Sequence, residues 1–380
     1  MKILILNWRD IRNPSFGGAE IFTHELAKRW VKWGYKIIQF SSRFPGSKER
    51  EIVDGVEIIR KGQPDARYLF NSVHFQAFWC YQKMFKNKVD IVIDEIHGIP
   101  FFTPLYVKEK KIILICEVAG RLWKEIFGLL YGTVGWIVEK FCLGFVYKNL
   151  PCLTISNSTR EDLIKNGVKD YNINVLHVGV SVPNKLNVFK KEKYPTIVFL
   201  GRLSKYKGIE DAMFAFEQLS SKYVKAKFWI IGRGDMSYKK QLMVLVDKLK
   251  LQKQILFFDY VSEQKKFEFL ARAWILVHPS STEGWGLNVI EANMVGTPAV
   301  GYNIGGLRDS ILHMKTGLLT EENTPEALFE GISKLIEDKL LYNRLSRNAF
   351  KWSKTFNWEK AGRESLSIIE QIYGKRSWAN

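Results

Sequence analysis

Residues Thr196–Ala212 read TIVFLGRLSKYKGIEDA. The run Thr196–Leu200 suits a strand buried on both faces, Gly201 ends it, and the apolar spacing from Ile209 to about Lys222 suits an amphipathic helix. Strand, glycine-bounded loop and helix make half of a βαβ unit, and the pattern recurs on both sides. Downstream come KFWIIG, a helix through KKQLMVLVDKLK, ILFFDYV, ILVHPS and PAVGY. Upstream come KILILN, a helix from Ala19 to Trp33, KIIQFS, DIVID, KIILIC, CLTIS and NVLHVGV. This alternation predicts an α/β protein with two successive Rossmann-like, doubly wound sheets. Ligand is expected at the carboxyl ends of their strands and in the cleft between the halves.

Between the two runs, PNKLNVFKKEKYP (183–195) is polar, lysine-rich and bounded by proline, so it reads as a linker. The expected domains are residues 1–185 and 186–360, with 361–380 as a terminal helix. A chain of 380 residues is long for one hydrophobic core and comfortable for two.

With 46% hydrophobic and 25% charged residues the composition is that of a globular protein. A formal net charge of +18 should attract anions such as phosphorylated ligands, nucleic acid or acidic lipid headgroups. The excess is spread over both halves of the chain and no nucleic-acid-binding module is readable, so nucleic acid is not an expected partner. Cys80, Cys116, Cys142 and Cys152 form no C-x-x-C pair or His-interleaved metal spacing, which points to a reduced, cytoplasmic location. The start, MKILILNWRD, has an apolar run too short for a signal peptide and reads as a buried first strand. The apolar, aromatic stretch Ile126–Leu150 is interrupted by Glu139 and Lys140, against a bilayer span. It reads first as a core helix pair, and second as a surface dipping into a membrane interface.

Three stretches carry chemistry. In the opening stretch, Arg202 and Lys207 occupy the loop between strand and helix: a planar fork and a point charge suited to phosphate oxygens, unless the loop is merely solvated. Gly17 and Gly18 in PSFGGAE lie between the first strand and its helix, where backbone amides can approach a ligand or simply make a turn. The third stretch, STEGWGLNVIEA (Ser281–Ala292), is a loop entering a helix whose first amides, near Gly286, Leu287 and Asn288, suit an anion. Glu283 and Glu291 flank that start. Ionised carboxylates only accept hydrogen bonds, so their natural partners are hydroxyls. A diphosphate with polyols on both sides would use all of these groups, and that ligand is a nucleotide sugar.

HPSSTEGWGLNVIEANMVGTPAVGYNIGG resembles the E-x7-E region of retaining, nucleotide-sugar-dependent glycosyltransferases of the group 1, or family 4, type. GRLSKYKG resembles their phosphate-binding segment, PSFGGAE their amino-terminal glycine loop and LTISNSTREDLIKNGV the end of their first domain. The resemblance covers nearly the whole chain in order. It implies a GT-B fold, two Rossmann-like domains facing across a cleft, with acceptor held mainly by the first, donor by the second, and the terminal helix crossing back to the first. It further implies that Arg202 and Lys207 hold the donor diphosphate, Glu291 the ribose and Glu283, as the catalytic residue, the transferred sugar. Backbone near Tyr260 and Val261 would meet the base, and Gly18 and the amides from Gly286 to Asn288 the phosphate or sugar. Such enzymes retain anomeric configuration without a metal, and the chain has no D-x-D motif.

Two departures concern the first domain. Many relatives carry a histidine after the strand matching KIILIC, where this chain has Cys116 and Glu117; an H-x-H elsewhere is replaced by IDEIHGIP, leaving Glu95 and His97. The acceptor-side candidates are therefore Gly17, Glu95, His97 and Glu117. The expected partners are a UDP- or GDP-sugar and a glycan or lipid-linked acceptor, with peripheral contact at the inner membrane face. The expected pathway is cell-surface polysaccharide or glycoconjugate synthesis. A nucleotide-sugar epimerase of similar fold and a non-catalytic nucleotide-sugar-binding protein are the competing classes.

Overall fold

The computed structural model describes residues 1–65, 70–181, 183 and 189–374. In chain order its first part runs β1 (Lys2–Leu6), α1 (Gly18–Lys32), β2 (Lys36–Ser41), β3 (Arg50–Val53), β4 (Val56–Arg60), α2 (Val73–Cys80), β5 (Ile91–Glu95), β6 (Lys110–Ile115), α3 (Leu122–Phe141), β7 (Cys152–Thr154), α4 (Asn157–Lys165) and β8 (Ile173–Val175). The second runs β9 (Thr196–Leu200), α5 (Ile209–Lys222), β10 (Lys227–Ile231), α6 (Met236–Lys248), β11 (Ile255–Phe258), α7 (Glu263–Arg272), β12 (Ile275–His278), α8 (Leu287–Met294), β13 (Ala299–Gly301), α9 (Gly305–Ser310), β14 (Gly317–Leu319), α10 (Pro325–Glu337) and α11 (Lys339–Ser353), before a last helix, α12 (Trp358–Gly374).

The chain divides into two compact units, Met1–Gly179 with the segment from Trp358, and Val180–Asn357. The expected boundary at 185/186 lies outside the described residues, as do residues 375–380 of the expected terminal helix. In the first unit α12 lies along α1: Trp30 Nε1 donates to Gly362 O at 3.3 Å and Ser365 Oγ at 3.2 Å, and Arg29 pairs with Glu359 at 3.1 Å.

The first sheet has the order β3-β4-β2-β1-β5-β6-β7-β8, parallel except for β3 against β4. The second, β11-β10-β9-β12-β13-β14, is parallel throughout. Strand order reverses between β1 and β5 in one and between β9 and β12 in the other. At such switch points adjacent strands send their following loops apart, leaving a crevice at their carboxyl ends. The strands are apolar on both faces because helices cover both. In the second unit Phe199 of β9, Phe216 of α5 and Phe228 of β10 are almost wholly buried in one cluster, each contributing roughly 2 kcal/mol by transfer from water.

Three expectations need correction. The hairpin β3–β4 is absent from the predicted elements; it turns at Asp54-Gly55, both with positive φ. The stretch 126–150 is not a core helix pair: α3 breaks its helical geometry at Gly128, continues into a wider π-turn at Cys142–Val146, and leaves Leu129, Leu130, Tyr131 and Phe145 exposed. The described end of the expected linker is fastened down, with Lys191 Nζ donating to Ala273 O at 2.6 Å and Glu192 paired with Arg272 at 2.6 Å.

Candidate active site

In the second unit, the loops after β9 and β12 meet at the switch point. The first loop ends in a tight turn, Lys205–Lys207, closed by Gly208 at φ 67°. A side chain there would be strained, and a Cβ would lie 2.1 Å from Pro279 O in the loop after β12. Ser281 N donates to Tyr206 O at 2.8 Å, fixing the same approach. The consequence is a contact between charges: Lys207 Nζ reaches Glu283 Oε2 at 2.5 Å, both side chains mostly buried.

Glu283 has two further neighbours. His278, the last residue of β12, is 2% exposed; its Nε2 is 3.5 Å from Glu283 Oε2 and its Nδ1 is 3.0 Å from Ser280 Oγ. Burial lowers the His278 pKa to about 4 against the opposing pull of Glu283, so near neutrality the imidazole is uncharged and the contact is not an ion pair. Burial by itself would raise the Glu283 carboxyl. Lys207, His278 and the Gly286 amide outweigh that and hold it below the ordinary carboxylate range.

The helix α8 begins beside this pair. Its cap position is Gly286, with φ 87°, and no side chain caps it. Asn288 Nδ2 donates to Leu200 O at 2.5 Å, pinning the first turn of α8 to the end of β9. From the other side Gly306 N donates to Glu283 O at 3.0 Å, and a Cβ at Gly306 would lie 2.4 Å from that oxygen. Leu287 follows Gly286 as the first residue of α8. Arg202 is exposed on the loop after β9.

Glu291, one turn on in α8, is 9% exposed and pairs with Lys266 of α7 at 2.7 Å. Burial keeps its carboxyl above the ordinary range even with Lys266 beside it. Val261 follows β11 and packs partly buried against the core, while Tyr260 is exposed with the Arg233 guanidinium 4.7 Å from its ring centre.

The first unit gathers most of the acceptor-side candidates at its own switch point. Gly17 caps α1 and donates its N–H to Glu20 at 2.6 Å; Gly18 opens the helix, with open space where a Cβ would project. Glu95 ends β5, accepting from Thr23 Oγ1 of α1 at 2.7 Å through one oxygen and lying 2.9 Å from His97 Nε2 through the other. Burial disfavours a charged His97, yet the Glu95 carboxylate overcomes it and raises the imidazole pKa. Trp8 lies 6.0 Å from the His97 ring, with Arg9 stacked 3.8 Å from the indole. Cys116, after β6, is buried with its thiol pushed well up by burial; Glu117 is the next residue, half-buried. All four cysteines are buried and unbridged.

Sequence reading passed over His278, Lys266, Gly306, Thr23 and Glu20. A polar residue closing an otherwise apolar strand at a switch point was a signal for His278. The glycine pair in YNIGG was one for Gly306. Lys266 carried none, because a lysine on a surface-patterned helix looks solvated.

The second of the two α/β units sets paired charges beside a helix start at its switch point. Comparison with known proteins identifies a nucleotide-sugar-dependent glycosyltransferase of GT-B fold. A family model described as glycosyl transferases group 1 matches residues 183–352, and one described as glycosyltransferase family 4 matches residues 16–182. The chain belongs to this group 1, family 4 class of glycosyltransferases. It is 26% identical to an uncharacterized glycosyltransferase of Methanocaldococcus jannaschii over 98% of this chain and 99% of that protein. It is 24% identical to the capsular polysaccharide biosynthesis glycosyltransferase CapM of Staphylococcus aureus, over 69% of this chain and 72% of CapM. Among solved structures, HepE of Anabaena in complex with UDP-glucose superimposes with a TM-score of 0.76 at 15% identity, covering 98% of this chain and 100% of HepE.

Proposed function

We propose that the chain moves a hexose-type sugar, with retention of anomeric configuration, from a UDP- or GDP-sugar to a hydroxyl of a glycan or lipid-linked acceptor in the synthesis of cell-surface polysaccharide or glycoconjugate. The observation that carries this reading is the buried Lys207–Glu283 pair beside the start of α8. It sets a cation and helix amides for phosphate next to a carboxylate for hydroxyls. The structure of HepE with UDP-glucose favours uridine as the base, and the name of CapM favours polysaccharide as the product class.

In this reading Arg202, Lys207 and the amides of Gly286, Leu287 and Asn288 stabilise the diphosphate as its bond to the anomeric carbon breaks. Glu283 holds the transferred sugar by its hydroxyls. Glu291 takes the ribose hydroxyls while keeping Lys266, and backbone at Val261 meets the base. The acceptor oxygen bonds to the anomeric carbon on the face the diphosphate leaves, and its proton passes to a phosphate oxygen. Glu95 and His97, with Gly17 at the cap of α1 and Glu117 just beyond β6, serve the acceptor side, while Gly18 serves the donor. The charges invoked belong to the chain and the helix start, so the scheme calls for no resident metal.

The test is a thermal-shift panel of UDP, GDP and their sugars. A ligand at one hundred times its Kd stabilises the folded state by about 2.7 kcal/mol. The expected result is a clear upward shift with one nucleotide sugar that disappears in Arg202→Ala. No shift with any of them contradicts the proposal.

A further inference from the structure

By length and composition the segment Leu122–Val146 could cross a membrane, but its helical geometry breaks at Gly128 and only 22% of the apolar window is buried. A globular unit has no use for this much exposed apolar surface in one place. Leu130, Val134, Ile137, Phe141 and Phe145 recur at spacings of three and four and are all exposed, forming one stripe. The opposite side is held to the unit by a polar anchor: Glu139, 3% exposed, accepts the N–H groups of Ala119 at 2.8 Å and Gly120 at 2.9 Å and the Trp123 indole N–H at 3.2 Å. Trp123 is wedged against the helix and the strand ends, since a Cβ at Gly135 would lie 2.4 Å from its ring and one at Gly98 2.8 Å. A span would have to strip these bonds from Glu139 inside hydrocarbon, so α3 is built to lie on a surface.

The rim states which surface. Between Arg121 and Lys148 the bases are Arg121, Lys124, Lys140 and Lys148, against Glu125 and the buried Glu139. Lys124 and Lys140 flank the Trp136 ring at 5.7 and 5.6 Å, and Lys148 lies 5.9 Å from that of Phe145. Basic side chains lying along aromatic rings at the edge of an apolar stripe match the headgroup boundary of a bilayer, where ammonium groups stay wet and rings sit at the interface. A second copy is a poorer fit, because a two-fold contact would bring the same lysines together on chains of net charge +18.

We propose that the exposed face of α3 docks on the interfacial layer of an anionic lipid bilayer. The docking does not depend on the donor assignment. Its consequence for catalysis does rest on the proposed function: Trp123 packs on Gly98, next to His97, so a seated α3 brings the Glu95–His97 end of the first sheet to the lipid surface and favours a lipid-linked acceptor.

The experiment is flotation of the full chain with vesicles of equal parts phosphatidylglycerol and phosphatidylcholine, a readout independent of sugar transfer. The chain should float with them, with affinity reduced about fivefold in each of Lys124→Ala and Lys140→Ala. It should fall roughly tenfold or more in Leu130→Ser/Ile137→Ser. No flotation of the unaltered chain overturns the proposal, as does undiminished flotation of either variant class. So does a dimer in solution that Leu130→Ser/Ile137→Ser turns into a monomer, which would assign the face to a second copy. The lysine variants keep the test valid should the apolar one fold poorly.

Discussion

Lys207 Nζ stands 2.5 Å from Glu283 Oε2, joining the loop after β9 to the loop after β12 in the largely buried centre of the candidate site. The low pKa of the Glu283 carboxyl thus rests in large part on a lysine 76 positions earlier in the chain.

Lys207→Met removes the main force holding the Glu283 carboxyl down, leaving burial to raise it. A depressed carboxyl adds stability above its unfolded pKa and loses it as pH falls through the folded value; the variant should lose that contribution. A pH profile of kcat/KM is expected to show the acid limb displaced to higher pH. Donor affinity should drop roughly tenfold, about 1.4 kcal/mol, from one lost charge-assisted contact.

The Lys266–Glu291 pair separates structure from ligand binding. Lys266→Met strands a buried carboxylate and should cost roughly 3 kcal/mol in denaturant unfolding. Lys266→Met/Glu291→Leu should recover much of that loss and still bind nucleotide sugar poorly. Full donor affinity in the double variant would remove Glu291 from the site.

Gly208→Ala meets both a left-handed backbone and the Pro279 carbonyl, 2.1 Å from the new Cβ. Thermal unfolding should show a loss of at least about 1 kcal/mol, the usual minimum where φ is positive. Activity should fall further than stability, because the turn that aims Lys207 must shift.

His278 imposes a pH dependence of its own. Its folded pKa, about 4, lies below the ordinary 6.5, so the neutral form is favoured on folding. The stability this gives is complete above pH 6.5 and drains as pH falls toward 4, by no more than about 3 kcal/mol. Unfolding free energy measured between pH 7 and pH 4 should fall less steeply in His278→Asn than in the unaltered chain.

Much of the fold was legible because buried parallel strands announce themselves: KILIL, KIIQF, TIVFL and KFWII are short apolar runs with helices between them. The β3–β4 hairpin was missed although Asp54-Gly55 between valines is a hairpin turn signal, because the flanking strands are short and mixed in polarity. The stretch 126–150 misled for another reason: apolar composition says that a surface avoids water without saying what covers it. In the site, the sequence marked Lys207 and Glu283 as members of two loops. Their contact rests on Gly208 and Pro279 packing together, a tertiary fact with no local trace. The Lys266 partner of Glu291 was hidden in the same way, one of two adjacent, surface-patterned lysines on α7.

The most direct test of the central claim is to measure donor Kd and sugar transfer on one preparation of Glu283→Ala. The account predicts nearly unchanged donor affinity, since phosphate is held by Arg202, Lys207 and α8, together with a fall in turnover of roughly a hundredfold, about 2.7 kcal/mol of transition-state stabilisation. Turnover equal to that of the unaltered chain would contradict it.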